Sequence, residues 1–200
     1  NNFTLHQIII QMKHLLSLLL LLTLSVNAQN KDCKYDIEEK TDSTSLKSLP
    51  HKLMNERIFG NNKEFIFFGL LNSDGIPMLS LQQLQKSNDF IPVNCLSKNS
   101  KIVIQLMNGK IVTLLHAFDD VCSDLNYNSE EKSNIRILTA YFYFTKTNFE
   151  ELKNSPISLV RIQFSGESKD YVVKNELISE SLKIKTNPSN YFMEFLKCVE

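Results

Sequence analysis

Tryptophan is absent from this 200-residue chain, and glycine and proline occur only five times each. So little Gly and Pro excludes a collagen-like or linker-dominated chain. Arginine is almost as scarce: Arg57, Arg136 and Arg161 stand beside 19 lysines, so bidentate readout of bases or phosphates is poorly supplied. Neither sign of charge prevails, with 22 basic residues against 22 acidic ones. Non-specific nucleic-acid binding needs an excess of cations to displace counterions, so no nucleic-acid partner is expected. HExxH, GxSxG, the P-loop, GxGxxG and EF-hand ligand spacing are also missing, and no cofactor or metal site is expected. What the chain does have is a 42% hydrophobic share, enough for a folded core.

The longest apolar run lies near the start. Met12-Lys13-His14 leads into ten residues, Leu15 to Leu24, and then Ser25-Val26-Asn27-Ala28. A short basic segment, an apolar core and a small-residue site at Val26 and Ala28 make a secretory signal over residues 12–28. The core is half the roughly 20 residues a membrane span needs, so no span is expected after cleavage before Gln29. Residues 1–11 carry no Met and read as an upstream extension, leaving residues 29–200 as a single β-rich domain. The destination is periplasmic or extracellular.

All four cysteines, Cys33, Cys95, Cys122 and Cys198, follow that signal. An even count in an exported chain predicts two disulfides, for which four cysteines allow three pairings. Asn108-Gly109 is the strongest hairpin signal, because a type I′ turn needs positive φ at both central residues. It lies between residues 101–107 and 110–116. A two-residue loop pairs Met107 with Lys110, and the same register carried outward, past an interruption at residues 97–100, sets Cys95 opposite Cys122. Cys33 and Cys198 remain as the second pair. A zinc site is excluded, since only His51 and His116 are available beyond the signal and no two cysteines stand as C-x-x-C.

Most of the remaining signal is strand-like. Residues 49–59, 63–71, 76–84, 136–144 and 157–164 are apolar-rich or alternating, with turn residues at 72–75 and 165–168. Thr147 and Glu150 predict a capping box for a helix over residues 148–154, closed by Pro156. Asn187-Pro188 opens a C-terminal helix whose Phe192, Phe195, Leu196 and Val199 form one apolar stripe. The fold class is therefore α+β: mainly antiparallel β, about eight strands, barrel or sandwich-like, with a short internal helix and a C-terminal helix.

The densest polar cluster is His116, Asp119, Asp120 and Asp124, directly after the Asn108-Gly109 hairpin. Three carboxylates and an imidazole could bind a cation or supply acid–base groups, although the stretch lacks the alternating oxygens and Gly of a calcium loop. The competing reading is a solvated loop whose Asp side chains cap backbone donors. In residues 141–144 alternation sends Phe142 and Phe144 to the core and leaves Tyr141 and Tyr143 half-exposed. Arg161, on an otherwise apolar strand face, calls for a partner: either a buried group or water at an edge.

The Leu-rich signal ending Asn27-Ala28-Gln29, the early Cys33-Lys34-Tyr35-Asp36, the Lys-Ile-Val-Ile…Asn-Gly-Lys-Ile-Val hairpin and the closing segment from Tyr191 to Cys198 together resemble uncharacterised secreted proteins of Bacteroidota. That resemblance implies no activity and transfers no site residues. Export, disulfides and the missing catalytic motifs point to a binding or accessory module with a protein or glycan partner. The alternative is a hydrolase of envelope or extracellular polymers, with Asp119, Asp120 and Asp124 as its carboxylates.

Overall fold

Short turns and period-two alternation make most of the chain antiparallel strand. The computed structural model describes residues 33–200, so the expected extension and signal lie outside the described residues. Residues 34–200 form one unit. It opens with the hairpin β1 (Ile37–Lys40) and β2 (Ser45–Ser48), followed by the meander β3 (Lys52–Phe59), β4 (Asn62–Ser73) and β5 (Ile76–Ser87). Next come β6 (Cys95–Leu96), the hairpin β7 (Lys101–Leu106) and β8 (Ile111–His116), β9 (Val121–Cys122), β10 (Asp124–Asn128) and the long β11 (Ser133–Tyr143). Helix α1 (Lys146–Asn154) leads to β12 (Ile157–Gln163) and β13 (Ser168–Val172), then the two-residue strands β14 (Leu177–Ile178) and β15 (Lys185–Thr186). The chain closes on α2 (Tyr191–Phe195), flanked by 3-10 turns Pro188–Asn190 and Leu196–Val199.

The fold is thus mainly antiparallel β with a short internal helix and a C-terminal one, and it has more strands than the eight expected. Eight of them nevertheless succeed one another in the order β3-β4-β5-β11-β8-β7-β12-β13. No backbone ladder returns from β13 to β3, so the sheet is not closed. Side chains bridge the seam instead. Asn55 Nδ2 donates to the Val172 carbonyl at 3.0 Å, and the Arg57 guanidinium donates to the Asp170 carbonyl. Arg57 also lies 4.5 Å from the centre of the Tyr171 ring. Bulges after Leu53 and after Ile157 bend β3 and β12, which is how a sheet curls toward itself.

Directly opposed residues share a face, so the registers identify the concave lining. Phe68 and Leu70 of β4 are matched by Leu81 and Leu79 of β5, then by Ala140 and Phe142 of β11. On the other side Leu114 and Val112 face Ile102 and Ile104, with Ile162 and Val160 beyond. All twelve are at most 2% exposed, so the interior is filled by its own side chains. At one end α1 and the C-terminal turns close it: Phe192 packs on Phe68 and Phe144, and Tyr191 Oη donates to the Phe68 carbonyl at 3.1 Å. Asn148 Nδ2 donates to the Thr113 carbonyl at 2.6 Å, on β8. The outer face of β4 at Phe65 and Phe67 is covered by Leu53 and Leu177, the latter on β14.

Three local expectations need correction. The β7–β8 ladder runs one residue away from the expected register, with Gln105 opposite Ile111 and Leu106 N donating to Lys110 O. The loop holds three residues, and Gly109 alone takes a positive φ, of +84°. Met107 N and Asn108 N donate instead to Pro156 O and Ser155 Oγ, which pulls Met107 out of the ladder. The two-residue turn with both φ positive is Asp74-Gly75, between β4 and β5. Second, α1 starts at Lys146 after Thr145, with no side-chain cap hydrogen bond, so Thr147 lies inside the helix and makes no capping box. Third, the C-terminal apolar stripe is carried by 3-10, α and 3-10 segments in succession, with Phe192, Leu196 and Val199 buried and Phe195 partly so.

Candidate functional site at the open end of the sheet

The Cys95–Cys122 disulfide is present, joining residues opposed across β6 and β9. The expected opposition survives the register error because residues 97–99 on one side face four, 117–120, on the other. Cys33 and Cys198 are disulfide-bonded as well, and no described cysteine is free. Disulfides persist where thiols are not kept reduced, so the chain belongs to a non-reducing environment. No described helix is long and apolar enough to cross a membrane.

The four residues of the expected polar cluster do not converge on a common point. Asp119 is exposed and pairs with Lys98 Nζ at 3.2 Å, while Asp120 Oδ1 accepts from the Lys98 amide at 3.2 Å. Asp124 stands on β10 opposite Ile137, exposed. His116 is 8% exposed, with Nδ1 donating to the Ser97 carbonyl at 3.1 Å and its ring 5.4 Å from that of Phe142. Burial lowers its pKa from the ordinary histidine value, against opposing pulls from the Ser97 carbonyl and Asp120. The imidazole is therefore part of the wall, with a neutral ring favoured. Among the described residues no group of three or more His, Cys, Asp or Glu could hold a metal ion.

Among the described residues His51 and Ser80 make the one close His–hydroxyl contact, Nε2 to Oγ at 3.0 Å. The ring lies against Gly69, directly across the ladder from Ser80, and a Cβ at Gly69 would meet it at 3.0 Å. Ser80 is only 4% exposed beneath that ring, so its hydroxyl is covered where a nucleophile would need access. Arg161 finds its partner across the β12–β13 ladder: Asp170 accepts both Nε and Nη2 at 2.5 and 2.6 Å. The pair is exposed, and the guanidinium holds the Asp170 carboxyl below its ordinary range. Phe142 is buried and Tyr143 exposed, as alternation requires.

The polar groups that do converge lie at the opposite end of the sheet from α1 and α2. Continuing the concave rows upward, Ile66 and Glu64 of β4 face Gln83 and Gln85 of β5, followed by Leu138 and Arg136 of β11. Across the seam come Tyr171 and Lys169 of β13. Glu64 Oε1 accepts from Gln83 Nε2 at 2.7 Å and from Tyr171 Oη at 3.3 Å. Gln83, 1% exposed, in turn accepts from Asn94 Nδ2 at 2.9 Å. The Arg57 and Lys169 cations flank Glu64 at 3.8 and 3.9 Å. Burial first, and the Glu64 charge second, push the Tyr171 phenol far up, so it stays a donor. This floor is satisfied within itself, which fixes its geometry before anything binds.

Residues 88–94 cross beside this floor as a strap. Arg136 Nε donates to Ile91 O at 2.7 Å and its Nη1 to Ser123 O at 2.9 Å, while Asn94 and Ser123 exchange two further bonds. The Cys95–Cys122 bond anchors the strap at its far end. Between strap and floor opens a cavity of about 320 Å³. Arg57, Lys63, Lys86 and Lys169 line it together with Glu64 and Gln85, and Phe59 and Phe90 stand at its rim, 86% and 75% exposed. A second cavity, about 390 Å³, lies between β15 and α2, beside Leu53, Pro188 and Phe195. Its bonded polar groups make single side-chain-to-backbone contacts, Thr186 Oγ1 to Leu53 O at 2.9 Å and Tyr191 Oη to Phe68 O at 3.1 Å.

Comparison with family models, with curated proteins and with solved structures found no match.

Proposed function

We propose that the protein is an exported binding module that holds a small polar ligand at the open end of its sheet. The observation that carries this reading is the mutually bonded set of Glu64, Gln83, Asn94 and Tyr171, whose Glu64 lines a cavity of about 320 Å³ with buried Gln83, Asn94 and Tyr171 behind it. Ligand sites are concave, largely formed in advance and equipped with a few fixed polar groups, at volumes from about 300 Å³ upward. Polar side chains at core registers cost stability unless they are bonded. A chain with no use for the cavity could fill these positions with apolar side chains, as it does on the same rows lower down. Two further observations favour binding over hydrolysis. Asp119 and Asp120 are each engaged by Lys98 while Asp124 stands apart on β10, and among the described residues Glu64 is the one carboxylate lining the cavity.

Titrating the ¹⁵N-labelled, oxidised protein with a panel of mono- and disaccharides, amino acids and dipeptides tests the reading. At least one compound is expected to shift the amide resonances of residues 57–64, 85–92 and 169–171 as a group. Shifts confined to other surfaces, or no shifts from any member, would overturn it.

A further inference from the structure

Resting on that binding reading, the lining of the cavity specifies its ligand more closely. We infer that the open end binds an acidic saccharide: a compact sugar ring carrying a carboxylate or sulfate ester. Four cations line the cavity against one carboxylate. The charge of Glu64 is already engaged by Gln83, Tyr171, Arg57 and Lys169. Lys86 pairs with Glu131 and Lys169 with Glu167, but both acids are half-exposed at the rim. Such surface pairs are worth little in water and yield to a ligand anion. Lys63 stands directly across the β4–β5 ladder from Lys86 and is in no ion pair among the described residues, so this end of the lining carries two lysines against one paired acid.

The rest of the lining matches the rest of such a ligand. Asn62 and Gln85 present amide groups that can both donate and accept, as sugar hydroxyls do, and the buried Ser87 hydroxyl holds the Asn62 amide in place. The exposed rings of Phe59 and Phe90 offer apolar faces against which the C–H face of a pyranose can lie. A lipid is disfavoured, because Ile66, Leu81, Leu138 and Ile162 fill the space below the floor to 1% exposure or less and leave no room for an acyl chain. A nucleotide would bring a doubly charged phosphate toward the Glu64 carboxylate, whereas a singly charged uronate or sulfate ester meets less repulsion.

Isothermal titration of the oxidised protein with digalacturonate, the neutral disaccharide cellobiose, AMP and inorganic sulfate tests this. Digalacturonate is expected to bind at least tenfold more tightly than cellobiose, and to weaken severalfold between 50 and 500 mM NaCl as exposed charges are screened. Lys63→Gln together with Lys86→Gln, at half-buried strand ends, should cost about tenfold for digalacturonate and severalfold less for cellobiose. Phe90→Ala should weaken both. Equal binding of cellobiose and digalacturonate, insensitive to the lysine variant, would overturn the acidic class while leaving the binding reading standing. Preference for AMP or for sulfate alone would overturn the saccharide. Silence from all four, with no shift of the residues 57–64 and 85–92 resonances, would remove both.

Discussion

Replacing Cys95 and Cys122 together with alanine should destabilise the protein by about 3.5 kcal/mol. The bond closes a loop across a sequence separation of 27. In the chain-entropy description a cross-link of that span removes roughly 12 cal/mol/K from the unfolded ensemble, or about 3.5 kcal/mol at 25 °C. Little of the loss should come from native contacts. The residues stay opposed by the β6–β9 pairing, Ser123 N still bonds Asn94 O at 2.8 Å, and Arg136 still clamps the strap. With a urea m-value of about 2 kcal/mol/M, the midpoint should fall by about 1.5–2 M with the slope nearly unchanged. Urea melts of the two proteins, followed by far-UV circular dichroism without reductant, measure this directly. A loss under 1 kcal/mol would show that the unfolded chain already holds residues 95 and 122 together. An intact melt accompanied by collapse of the strap resonances would show instead that the bond acts on the native state, and the entropic reasoning would fail.

Two further outcomes can be stated briefly. Burial lowers the pKa of His116 in the folded protein, and that of His51 likewise. The unfolded chain therefore binds more protons below about pH 6.5, and stability should fall as pH drops from 7 toward 5; His116→Gln should flatten part of that slope in urea midpoints measured at both pH values, and an unchanged slope would remove His116 as its source. If the signal acts, amino-terminal sequencing of the protein from its native source should begin at Gln29, and retention of residues 12–28 would refute it.

Much of the architecture is legible in the residues. Alternation in residues 136–144 and 157–164, and the turn at 72–75, give the β11, β12 and β4–β5 placements directly. The β7–β8 register was not recoverable from local chemistry, because the bonds that displace Met107 come from Ser155 and Pro156, some 47 residues away. Nor does a capping pattern such as Thr147…Glu150 locate a helix start when the preceding strand hands the chain over at Thr145. No motif marks the candidate site, because its members are ordinary Lys, Gln and Glu side chains scattered over four strands and a strap. One signal could have exposed it. Running the 72–75 hairpin outward sets Glu64 opposite Gln85 and Ile66 opposite Gln83, on the same face as Phe68 and Leu81. Polar residues in a core register are the mark of a site, and they become visible once the register is written out.

The two ends of the sheet divide the work between them. Toward α1 and α2 the concave rows carry Leu, Ile, Val and Phe at near-zero exposure, and burial of each such side chain is worth on the order of 1.5–3 kcal/mol. Toward the strap the same rows carry Glu64, Gln83, Gln85, Arg136 and Lys169, whose mutual bonds do little more than offset their desolvation. A polar end of that kind adds little to stability and depends on elements held from elsewhere. The covalent anchor at Cys95–Cys122 stands beside the strap at the polar end, and the seam at Asn55 and Arg57 is bridged by side chains where a backbone ladder is lacking. Placing the cross-link and the charged bridges around the polar floor keeps that floor rigid without filling the cavity above it, and this is what a preorganised binding site requires.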